Sequence, residues 1–130
     1  MTTVVPITAL YASLLALLVI LLALVAVKLR RSLRVGLGDG GNRDLQRAIR
    51  AHGNATEYIP LFLILLAAYE LNHGSATALH LFGAVFFVSR VLHAWGLYSS
   101  GGTSPGRFAG TAGTLVALMA LAVANLLKIL

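Results

Sequence analysis

The stretch Arg47-Ala48-Ile49-Arg50-Ala51-His52-Gly53-Asn54-Ala55-Thr56-Glu57-Tyr58-Ile59-Pro60 puts four strongly polar side chains at the entrance to an apolar segment. On a helix advancing 100° per residue, Arg47, Arg50, Asn54 and Glu57 fall within about 80° of one another. Tyr58 and Arg43 lie near the same stripe. The purely apolar continuation, Tyr58 to Tyr69, has 12 residues. That is too short to cross a hydrocarbon layer of about 30 Å. The helix must therefore begin in the basic region, and the sequence predicts it over residues 42–72. A polar stripe carried towards a bilayer needs a partner or a task.

The rest of the chain supplies the bilayer. Of 130 residues, 58% are hydrophobic and only 11% are charged. This is the composition of an integral membrane protein with one domain, residues 1–130. Val4 to Val27 is uncharged and long enough for one span, and its helix is predicted over 4–34, ending in Lys28, Arg30, Arg31 and Arg34. No basic stretch precedes this run, and it is too long for a signal-peptide core, so it is expected to remain as a membrane helix. Gly36, Gly38, Gly40 and Gly41 then force a turn, with Asn42 as the helix cap that follows. Gly74 is expected to end the second helix. A third helix is predicted over 75–98, apolar apart from His80, Ser89, Arg90 and His93. Ser104-Pro105 reads as a cap followed by proline at the first helical position, opening a fourth helix over 105–128. The expected fold is all-α: a bundle of four transmembrane helices.

Charge orients the bundle. Seven of the ten Lys and Arg residues lie between Lys28 and Arg50, and Arg90 and Arg107 flank the third loop. The first and third loops are thus expected in the cytoplasm and both termini outside. The net charge of +6 comes without any nucleic-acid recognition motif, so no nucleic acid is expected as a partner. The absence of cysteine excludes a disulfide, a thiolate metal site and a protein thiol nucleophile. The four histidines have no H-x-x-x-H spacing, and no metal site is expected. A four-helix drug exporter of the kind that uses a carboxylate in its first helix is disfavoured, because no Asp or Glu lies between Thr2 and Val27.

The candidate chemistry lies at the basic end. An interfacial segment whose arginines meet lipid phosphates accounts for Arg43 and Arg47, but poorly for Asn54 and Glu57, which sit deeper. Arg90 is one turn before His93, and an ion pair between Arg90 and Glu57 is one expectation. Arg107 stands in the first turn of the fourth helix, where a cation opposes the helix dipole. It suits an anion there, because the arginine and the helix N-terminus both stabilise negative charge. A thiol bound at that point is more acidic and more nucleophilic. Arginines, one carboxylate, one amide and a tyrosine together suit a ligand with several carboxylates and an amine. Glutathione meets these demands, although the residues alone do not single it out.

Arg50-Ala51-x-x-Asn54-x-x-Glu57-Tyr58-x-Pro60-Leu61-Phe62-Leu63 resembles the second-helix signature of the MAPEG family, membrane-associated proteins in eicosanoid and glutathione metabolism. Asp39-Gly40-Gly41 with Ile49-Arg50-Ala51-His52-Gly53-Asn54 is similar to the small bacterial members. Arg30-Arg31-x-x-Arg34, Arg90-x-x-His93 and Pro105-Gly106-Arg107 support the resemblance. It implies a homotrimer with glutathione held between subunits on the cytoplasmic side; with the charge count above, the expected place is a bacterial inner membrane with both termini periplasmic. It implies glutathione contacts for Arg50, Asn54, Glu57 and Tyr58, with Arg30 reaching in from a neighbour. It also places Arg90 and His93 near the site, and makes Arg107 the catalytic residue that stabilises the thiolate. Leu97 stands where several members carry a tyrosine. The activity so implied is glutathione transfer to hydrophobic electrophiles entering from the bilayer, with peroxidase activity on lipid hydroperoxides beside it. A non-catalytic lipid-binding or scaffold protein on the same fold is the alternative.

Overall fold

The computed structural model describes residues 4–130, which leaves the Thr2 and Thr3 end of the uncharged N-terminal run outside the described residues. The chain forms four helices: α1 (Pro6–Leu33), α2 (Arg43–Leu71), α3 (Ala76–Ser99) and α4 (Pro105–Ile129). Three of them, α1, α3 and α4, are long and apolar enough to cross a membrane. The 29-residue α2 is of similar length, about 43 Å at 1.5 Å per residue, but the charged stripe occupies its first half.

The local signals act as their chemistry requires. Asn42 Oδ1 accepts the backbone N–H groups of Asp44 and Leu45, both at 3.0 Å, so two of the four unpaired donors at the start of α2 are satisfied. Ser104 caps α4 in the same way, accepting the Arg107 N–H at 3.2 Å. α2 runs unbroken through Pro60. The turn after α2 departs from the expectation that Gly74 ends the helix. His73 takes the left-handed conformation, with φ +56°. Gly74 is needed for a different reason: a Cβ there would run into the ring and carbonyl of Tyr69.

Neighbouring helices run antiparallel. α2 and α3 form the middle of the bundle, and the backbones of α1 and α4 do not approach one another closely among the described residues. Phe62 of α2 and Phe86 of α3, both fully buried, stack at 3.8 Å between centroids with planes 5° apart. Leu15, Leu66, Leu79 and Leu121 close the core around them. In a bilayer, where lipid tails are as apolar as leucine, such packing holds the helices by van der Waals contact rather than by removal from water.

The two ends of the bundle differ. At one end, α1 starts without a side-chain cap of its own. The Glu70 carboxylate, at the end of α2, accepts the N–H groups of Ile7 at 2.9 Å and Thr8 at 2.7 Å. Tyr11 donates to the His80 carbonyl at 3.0 Å, and Lys128 donates to that of His73 at 2.9 Å. At the opposite end lie the basic end of α1, the start of α2, the end of α3 and the start of α4. The candidate site is there.

Candidate functional site

α3 and α4 approach closely because glycines face each other. A Cβ on Gly96 would meet the backbone of Gly106 and Arg107, and one on Gly110 would meet the backbone of Ser89 and His93. The Ser104 hydroxyl also donates to the Gly96 carbonyl at 3.0 Å. These contacts lock the first turn of α4 against the last turns of α3. Arg107 is thereby placed beside His93 and Leu97.

The result is a cleft of about 160 Å³ lined by Arg50 and Asn54 from α2, His93 and Leu97 from α3, and Arg107 from α4. Arg50, Leu97 and Arg107 also border a second cleft of about 170 Å³ with Gln46, Arg47, Ser100 and Gly101. His93 and Arg107 border a third, of about 270 Å³, with Thr103, Ser104, Phe108 and Thr111. Residues up to 57 positions apart in sequence thus share one wall, the three helices contributing one or two groups each.

Electrostatics are dominated by arginine. Arg50 Nη1 lies 3.7 Å from Glu57 Oε1 on the outer face of α2. Arg47 Nη1 lies 3.4 Å from Asp44 Oδ1. Arg107 Nη1 donates to the Gly102 carbonyl at 2.7 Å, which uses one of its five N–H donors and folds the side chain along the 100–104 loop. Arg90 is buried, only 3% exposed. Its Nη1 donates to Asn54 Oδ1 at 2.6 Å and its Nη2 to the Gly110 carbonyl at 3.4 Å. The Tyr58 ring lies 5.4 Å from its Cζ, within cation–π range. The Arg90–Glu57 ion pair expected from the sequence does not form. Glu57 points outward and takes Arg50, while Arg90 points inward and takes Asn54.

The other candidates divide as follows. Arg50, Asn54, His93 and Arg107 converge directly. Glu57 joins them through Arg50. Tyr58 and Arg90 stand behind the wall that Asn54 provides. Arg30 is elsewhere in the chain: it donates to the Gly38 carbonyl at 2.8 Å and borders a groove with Arg31, Arg34, Val35 and Gly36. Tyr98, beside Leu97, turns away towards Val25, Lys28, Leu29, Asp44 and Arg47. Arg47, which the sequence relegates to the rim, lines the mouth of the second cleft. Its position one turn before Arg50 on the polar stripe was the signal for it.

A family model matches residues 8–127 and describes the MAPEG family. The chain belongs to the MAPEG family. The inner membrane protein YecN of Escherichia coli K12 is 39% identical over 120 residues, covering 92% of this chain and 90% of that protein. A Synechocystis protein, sll1147, is 33% identical over 90 residues, covering 69% of this chain and 63% of its own length. For this MAPEG chain, the four-helix, all-α reading of the sequence holds. The match extends from the first turn of α1 to the last turns of α4, so the cleft lies wholly inside it.

Proposed function

We propose that this MAPEG protein is a glutathione transferase of a bacterial inner membrane, active as a homotrimer with all four helices crossing the bilayer. The observation that carries the reading is the convergence of Arg50, Asn54, His93 and Arg107 from three helices on one cleft. Around it, the arginines at 47, 50, 90 and 107 outnumber the carboxylates of Asp44 and Glu57 by two. Glutathione with its thiol ionised carries two carboxylates, a thiolate and an ammonium, a net charge that balances that surplus. Arg50 receives a carboxylate through a two-pronged contact. Glu57, already exposed, exchanges part of its pairing with Arg50 for the ammonium group.

Arg107 supplies the catalytic term. A fixed cation at the first turn of α4 stabilises the thiolate and so raises the fraction of reactive sulfur at neutral pH. The thiol proton leaves to solvent. The sulfur lone pair attacks the electrophilic carbon of an apolar substrate arriving from the bilayer. A carbon–sulfur bond forms as the bond to the leaving group breaks, and a halide or similar anion departs with its electron pair. Arg30 completes the site from the neighbouring subunit, and the site faces the cytoplasm with both termini periplasmic.

The test is glutathione binding and conjugation by the purified protein. An ultraviolet thiolate band on adding glutathione, together with conjugation of an aryl halide, supports the reading. No band and no conjugate removes it. The second reading, a non-catalytic lipid-binding member, draws on Leu97: an apolar side chain forms part of the cleft wall where a hydroxyl would serve the thiolate. Retention of lipid by a protein that ignores glutathione is the result that favours it.

A further inference from the structure

We infer that Arg90 is a positioning residue that never touches the ligand, and that it fixes Asn54 so that the cleft offers only that side chain's NH2 group, to a carboxylate. The ligand part of this inference rests on the glutathione reading above and refines it. The geometric part does not depend on it.

A guanidinium has donors only, so the Asn54 side chain must turn its oxygen towards Arg90. This removes the ambiguity that usually attends an asparagine amide. The bond is short, 2.6 Å, as a charge-assisted bond should be. Arg90 is itself held from several sides: the Gly110 carbonyl takes Nη2, and the rings of Tyr58 and Phe86 lie 5.4 and 5.9 Å from its Cζ. It is buried to 3% exposure, behind Asn54 rather than in the cleft lining. With its oxygen so committed, Asn54 has its two N–H donors left for the cleft.

Charge explains why an amide stands there. No carboxylate lies within ion-pair distance of Arg90 among the described residues, and its Nε is buried without a partner. A buried cation without a counter-ion is costly. An aspartate at position 54 would neutralise it locally and would turn a negative oxygen towards the ligand. Asparagine does the opposite. The cation polarises the amide, the NH2 becomes a stronger donor, and a ligand carboxylate in the cleft completes the chain carboxylate–amide–guanidinium. Arg90 thus acts on an anion that it does not reach.

The experiment compares Asn54→Asp, Arg90→Met and Arg90→Lys in detergent, by calorimetry with glutathione and by thermal unfolding. Asn54→Asp is expected to unfold at or above the wild-type temperature, because the new carboxylate pairs with Arg90. Its glutathione affinity is expected to fall about thirtyfold or more, since a donor has become an anion facing the ligand carboxylate. Arg90→Met is expected to weaken binding about tenfold, and Arg90→Lys to restore most of it by keeping a charged donor. Wild-type affinity in Asn54→Asp or in Arg90→Met overturns the inference. So does a loss of thermal stability in Asn54→Asp as large as that in Arg90→Met. If the wild-type protein does not bind glutathione, the glutathione reading falls, and the unfolding comparison alone still decides whether Arg90 holds residue 54.

Discussion

Arg50 and Glu57 form an ion pair at 3.7 Å across two turns of α2, with both side chains more than half exposed. The pair is solvated and therefore weak, worth at most about 1 kcal/mol. It orders the two groups proposed to bind the ligand without holding them tightly. A dipolar ligand end, bearing a carboxylate and an ammonium, can replace each partner with one of its own at little cost.

Replacing Arg50 with alanine is therefore expected to cost far more in binding than in stability. Glutathione affinity should drop about tenfold or more, the loss of a bidentate charged contact, while the unfolding temperature changes little. Calorimetry and a thermal melt of the same sample read both. Undiminished affinity would place the carboxylate contact elsewhere.

Arg107→Ala separates binding from chemistry. Its guanidinium reaches the Gly102 carbonyl and borders the cleft, so its loss leaves the wall of α2 residues in place. Turnover with glutathione and an aryl halide is expected to fall about a hundredfold, with a much smaller change in KM, because a charge that stabilises the thiolate is removed. Intensity of the thiolate band should fall in parallel. Unchanged turnover would take Arg107 out of its assigned role.

Glu70 predicts a stability effect at the far end of the bundle. Its carboxylate is the cap of α1, accepting two backbone N–H groups from residues more than 60 positions away. Glu70→Ala is expected to cost about 1 kcal/mol, as for loss of a helix cap, and to leave glutathione affinity unchanged. Thermal unfolding together with calorimetry checks both parts.

Gly96→Val tests the route by which Arg107 is placed. The added side chain meets the backbone of Gly106 and Arg107, so α3 and α4 must separate. A loss of about 1–3 kcal/mol is expected from the overpacking, with loss of turnover in the fraction that remains folded. Full turnover would show that the α3–α4 contact does not set the catalytic geometry.

Most of the architecture was legible in the residues. Runs of apolar side chains, Asn42 and Ser104 as caps, and the glycine-rich loop depend on local chemistry. They give four helices with ends within one or two residues of those observed. The polar stripe was legible for the same reason: helical spacing alone puts Arg47, Arg50, Asn54 and Glu57 on one face. The turn at His73 was not, because the need for glycine at position 74 comes from the Tyr69 ring rather than from backbone conformation.

The partners of the charged groups were decided only by the tertiary structure. Helical spacing says that Asn54 and Glu57 share a face. It cannot say that a buried guanidinium from α3 arrives behind one of them and passes the other by. Nor can it say that the cap of α1 comes from the end of α2, or that facing glycines on α3 and α4 bring Arg107 to His93. Local sequence fixes which groups a helix presents, since that depends on 3.6 residues per turn. The approach and rotation of neighbouring helices fix which of those groups meet. In this chain, that packing makes Asn54 a donor and leaves Arg50 to Glu57.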